Sequence, residues 1–146
     1  MRALPILLIA LAAGSVEPAF ARDTTLNLPL ADVIAMGEET GKLDGTVKFY
    51  LSGQATPSIL KKLGSGVSNK KTNGFNKGDE EGCRWAALSA LITFQGSAKR
   101  QGANAVTNIT SYYKRNEAHN SQTYECHAGT FVVGVALKGD YANVKR

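Results

Sequence analysis

Two cysteines, two histidines and one lysine-rich stretch are the residues of this chain whose types could do chemistry. Cys83 and Cys126 could form a disulfide, share a metal with His119 or His127, or leave a reactive thiol. Cys126 and His127 are neighbours on what reads as a strand, so their side chains point to opposite faces and poorly share one ion. In an exported chain an even pair of cysteines is most simply a disulfide. Closing a loop of roughly 44 residues would stabilise the fold by about 4 kcal/mol.

A hydrolase built on Ser or Cys needs a base, and only His119 and His127 could supply one. His119 lies among Asn116, Asn120 and Ser121, the setting of a solvated loop histidine. The carboxylates Asp79, Glu80 and Glu81 open a helix, where capping and the helix dipole account for them. The nearest approach to a phosphate loop, Gly37-Glu38-Glu39-Thr40-Gly41-Lys42-Leu43, is one residue short and has leucine where the magnesium-binding hydroxyl belongs. No catalytic residue, metal or cofactor is assigned, and the chain reads as a non-enzyme.

Lys70, Lys71, Asn73 and Lys77 are the candidate polyanion-binding residues, able to hold phosphate, sulfate or acidic sugar groups. The same stretch is also consistent with a solvated loop in which Asn73-Gly74 is a tight turn and Phe75 tucks onto the core. Tyr112-Tyr113-Lys114-Arg115 sets aromatic rings beside basic charge, a stacking surface in composition.

These groups must be positioned by one domain of ordinary size. At 146 residues the chain is too short for a multidomain protein. Its net charge of +5 favours acidic partners without the dense basic tracts of a DNA-binding domain. Residues 1–21 read as a signal peptide: Arg2 is the positive start, Leu4 to Ala13 is apolar, and Ala19-Phe20-Ala21 has a cleavage-site pattern. The apolar run would span only about 15 Å of helix against roughly 30 Å of hydrocarbon, too little to cross a bilayer. Cleavage after Ala21 would leave residues 22–146 as a single exported, soluble domain, still at +5 and with no cysteine placed for a lipid anchor.

Within that domain, residues 22–27 read as extended and weakly ordered, and Pro29 to Met36 as a short helix ending by Gly41. Residues 46–51 alternate as a strand, residues 57–63 read as a second short helix, and residues 64–82 as a long surface loop. The helix from Asp79 to Gln101 is the organising element, with Cys83, Ala87, Ala90, Leu91, Phe94 and Ala98 on one stripe. Trp85 and Ile92 fall opposite that stripe, covered by a loop or meeting a second subunit. Residues 105–113 form a strand, 114–122 a hairpin loop, and 123–137 a long strand, open to a bend near Ala128-Gly129 and ended by the turn Lys138-Gly139-Asp140. The fold class expected is α+β: a small βαββ sheet with one long helix packed on it, the disulfide joining helix to strand. Of the last strand's two faces, the small-residue one (Thr130, Val132, Gly134, Ala136) is expected to admit the helix closely.

The stretches Val67 to Gly74, Cys83 to Leu91, Gly102 to Val106, Ser111 to Lys114 and Tyr124 to Gly129 resemble small exported proteobacterial proteins that carry the label "excinuclease ATPase subunit". That label implies DNA repair and ATP hydrolysis, which the missing phosphate loop and the export signal contradict, so the name is read as misapplied. More distantly, Gly102-Ala103-Asn104-Ala105-Val106 and the following hairpin are similar to the small domain of the Rcs outer-membrane stress-sensor lipoprotein and to YbjQ-like proteins. The likeness implies a disulfide-bearing periplasmic interaction domain. The expected function is therefore non-enzymatic periplasmic interaction or envelope homeostasis, through a protein partner or as a homo-oligomer. The alternative is binding of anionic envelope polymers through the lysine-rich stretch; neither DNA nor a membrane anchor is expected.

Overall fold

A computed structural model describes residue 14, residues 22–74 and residues 78–146; the expected signal peptide and Lys77 lie outside these residues. The elements run β1 (Thr24–Pro29), α1 (Leu30–Glu39), β2 (Lys48–Leu51), β3 (Ile59–Asn73), α2 (Asp79–Arg100), β4 (Ala105–Tyr113), β5 (Asn116–Ala118), β6 (Thr123–Ala128) and β7 (Val132–Val144). The class is α+β, but the sheet has seven strands, so the small βαββ arrangement is too simple.

β7 is the axis of the sheet. β3 pairs antiparallel along its whole length on one side, while on the other β6 pairs near its start and β4 near its end. β1 extends the sheet beyond β6, and β2 runs parallel to β4 at the far edge. No helix among the described residues is long and apolar enough to cross a membrane.

α2 follows its sequence pattern closely. Cys83, Ala87, Ala90, Leu91, Phe94 and Ala98 are all fully buried. Gly78, not Asp79, caps its start; its end runs through Gln101 to Gly102, whose φ of +73° suits the residue beyond a helix. The helix rests on the larger-residue face of β7, where Val133, Val135 and Leu137 are buried and Tyr141 meets Phe94 edge-on at 6.1 Å. The expectation that the small-residue face receives the helix is thus reversed: bulky side chains fill the interlayer space, and Gly134 and Ala136 turn away. Gln95 fixes the turn after α1, accepting from the Asp44 amide at 3.0 Å and donating to the Lys42 carbonyl at 3.2 Å. Hydrogen bonds from Lys99 and Thr46 hold the Asp44 carboxyl well below the usual carboxylate range.

Five local expectations are corrected. Residues 57–63 are not a helix, and residues 64–73 are not a loop: from Ile59 the chain is one 15-residue strand. Its polarity reflects an exposed position at the sheet edge, where pairing with β7, not burial, holds it extended. At the bend expected near Ala128-Gly129 the strand over 123–137 divides into two, β6 ending at Ala128 and β7 starting at Val132, and the expected stop at Lys138-Gly139-Asp140 is absent because β7 runs on to Val144. Residues 22–27 are also more ordered than expected, since β1 is registered against β6 over six residue pairs.

Tyr124 is fully buried beneath the helices, and its hydroxyl has no hydrogen-bond partner among the described residues. Burial pushes its phenol above the ordinary tyrosine range. Tyr124→Phe is expected to raise stability by about 1 kcal/mol in urea unfolding, because it removes an unsatisfied polar group at almost constant shape. A loss of that size instead would show that the hydroxyl is bonded.

Candidate functional site

The Cys83–Cys126 bond is formed, with a Cα separation of 5.8 Å, and joins α2 to β6. It removes Cys126 as a metal ligand, and no group of three His, Cys, Asp or Glu side chains among the described residues is placed to hold a metal ion. Cys126 faces the helices, so strand alternation turns Glu125 and His127 to the opposite face. That face is covered in its lower half by residues 52–58, which cross from β2 to β3 above Thr107, Asn108 and Asp140. Its upper half is free of helices and carries the candidate site.

The site is a row across four strands. Thr25 of β1 pairs with His127 of β6, His127 with Gly134 of β7, and Gly134 with Lys71 of β3. Because Gly134 has no side chain, the row dips at its centre and opens a cleft of about 300 Å³, with Tyr113, Val132, Arg22 and Asp23 in its walls. The Tyr113 and His127 rings stack with centroids 3.4 Å apart. His127 Nε2 lies 2.5 Å from Glu125 Oε1, while Nδ1 meets Thr25 Oγ1 at 3.5 Å and Asp23 Oδ1 at 3.7 Å. With both nitrogens engaged and the side chain 11% exposed, the imidazole is a fixed wall of the cleft. Arg22 is held by a bidentate bond to Asp79 at 2.8 and 2.9 Å and donates to the Gly129 carbonyl. Lys71 has no carboxylate partner among the described residues, so it is the cation this cleft can offer.

The lysine-rich stretch does not form one patch. Lys70 pairs with Val135 and shares the helix-side face, whereas Lys71 and Asn73 pair with Gly134 and Val132 on the open face. The structure therefore brings Lys71 to the cleft and turns Lys70 away from it, because consecutive strand residues alternate. Trp85 is half-buried against the core, and Ile92 is 37% exposed on the outer side of α2. Two of the three acidic residues have structural partners: Asp79 binds Arg22 and Glu80 approaches Arg84 at 3.9 Å.

His119 also has a hydroxyl and a carboxylate about its ring. Its Nδ1 is 2.9 Å from Ser52 Oγ, and Nε2 is 4.0 Å from Glu117. A hydrolytic Ser–His pair needs a carboxylate that orients the ring, and Glu117 is instead bonded to Lys138 at 3.2 Å. That bond raises the Lys138 pKa, and the same ammonium lies 5.2 Å from the Tyr112 ring centre. The Tyr113–His127 stack and the Gly134 dip were not foreseen from the sequence; alternation over 123–128 was the available signal, since it places Glu125 and His127 together opposite Cys126. No family model, curated protein or solved structure matches this chain.

Proposed function

We propose that this chain is an exported, non-enzymatic interaction protein of the cell envelope that engages a protein partner with the upper half of its helix-free face. The observation that carries this reading is the open row Thr25–His127–Gly134–Lys71, walled by the Tyr113 ring and rimmed by Val132, 49% exposed. A fixed aromatic wall beside an exposed apolar side chain, Val132, is the kind of centre on which protein-recognition surfaces are built. The disulfide supports an oxidising compartment.

A second reading, binding of anionic envelope polymers, is favoured by Lys71 lying in the cleft and by Lys138 and Lys114 beside the neighbouring tyrosines. A photo-crosslinking residue at Val132, with one at Ser89 on the exposed side of α2 as control, separates the two in native envelopes. A discrete protein adduct from position 132 alone supports the first reading. No adduct there, together with retention on acidic glycan that Lys71→Gln abolishes and Lys145→Gln does not, replaces it with the second.

A further inference from the structure

We infer that the outer edge of β3 is a docking site for an acidic, extended peptide segment, which adds to the sheet as a further antiparallel or parallel strand. This surface adjoins the cleft described above and shares Lys71 with it, but its recognition groups are the backbone of β3 and not the cleft walls. β3 pairs only with β7, so one side of a 15-residue strand, about 50 Å long, is unpaired among the described residues. The orientation of its backbone follows from the register. The Gly74 amide donates to the Phe131 carbonyl at 2.9 Å, and the pairing stays in phase from Gly64 to Asn73. Alternation of antiparallel pairs then aims the N–H and C=O groups of Ser65, Val67, Asn69 and Lys71 away from β7, toward the free edge.

Charge selects the occupant. Residues 59–73 contain four lysines and no acidic residue. Lys62 has Asp140 at 3.4 Å, but Lys61, Lys70 and Lys71 have no carboxylate partner among the described residues. Self-pairing is disfavoured: two copies joined antiparallel along the full strand would set Lys61 opposite Lys71 and Lys62 opposite Lys70, and like charges directly opposed are destabilising. Lysines on an edge guard it against neutral strands and against itself. They offer no such barrier to a strand bearing glutamates or aspartates, and because Lys70 and Lys71 point to opposite faces, both faces of an added strand would meet a cation. Ile59, Leu60 and Val67, 55%, 68% and 53% exposed, supply apolar contacts along the same edge.

The test uses the whole chain and three labelled twelve-residue peptides followed by fluorescence anisotropy. One alternates glutamate and valine, the second is the same peptide N-methylated at alternate backbone nitrogens, and the third replaces glutamate by lysine. The acidic peptide is expected to bind, the N-methylated one at least tenfold more weakly, and the lysine peptide not at all. Changing Lys61, Lys70 and Lys71 together to Glu should reverse the preference between the first and third peptides. Asn69→Pro removes one outward N–H at a position where proline is tolerated on an edge, and should weaken binding about tenfold without altering charge. Equal binding of the methylated peptide would reduce the surface to a diffuse polycation, and failure of the acidic peptide to bind would end the proposal; neither result bears on a crosslink at Val132.

Discussion

Replacing Cys83 and Cys126 together with alanine is expected to lower the stability of the domain by about 4 kcal/mol, on the chain-entropy scale for a loop of this length. Both sulfurs are fully buried at the contact between α2 and β6, and the bond closes a loop with a sequence separation of 43. Without it the unfolded chain regains the freedom of that loop, while the folded chain loses only two small apolar contacts. Urea unfolding of the oxidised protein against the double-alanine variant measures the difference, and a reducing agent should move the parent to nearly the same midpoint. Because a domain of this size commonly has 5–15 kcal/mol in total, the variant should remain folded at room temperature with a much reduced margin. A loss below about 1 kcal/mol would mean that the unfolded chain already holds these segments close, so that the bond removes little freedom.

The bond was legible because it depends on little beyond cysteine count and compartment, and the α2 stripe was legible because 3.6-residue periodicity over 22 residues leaves few alternatives. β2 and β4 were equally clear, since Val47, Phe49 and Leu51 alternate with Lys48 and Tyr50, and Val106 and Ile109 are fully buried. β3 was not. Its glycines, asparagines and lysines have low strand propensity, and what makes it a strand is a partner 59 or more residues away, which no local window contains. That error propagated into the candidate site: lysines read on a flexible loop could converge, whereas on a strand Lys70 and Lys71 must diverge. The cleft was hidden for the same reason, because His127, Gly134 and Lys71 become neighbours only through two strand registers. Within the sequence itself, strand alternation could have brought together only Glu125 and His127.

Gly139 gives the sharpest test of the longer β7. As a turn residue it would be needed for its backbone freedom, and alanine there would be harmful whatever its neighbours are. In the strand it is needed for space: a Cβ at this position would lie 2.7 Å from Val106 Cγ1 and 3.2 Å from Ile109 Cγ1, both on fully buried side chains of β4. Gly139 carries no positive φ, and it faces Gly66 of β3 across the ladder, so its conformation is one any residue adopts. Gly139→Ala is therefore expected to destabilise by about 1–3 kcal/mol through overpacking. In a Val106→Ala background the 2.7 Å contact is gone and only the 3.2 Å contact with Ile109 Cγ1 remains, so the same change should cost less by about 1 kcal/mol or more, helped by the entropic cost that glycine carries inside a strand. Four urea titrations close the cycle, and the coupling between the two sites is the decisive quantity. Coupling near zero, with Gly139→Ala equally harmful in both backgrounds, would restore the turn at residues 138–140 and end β7 at Leu137.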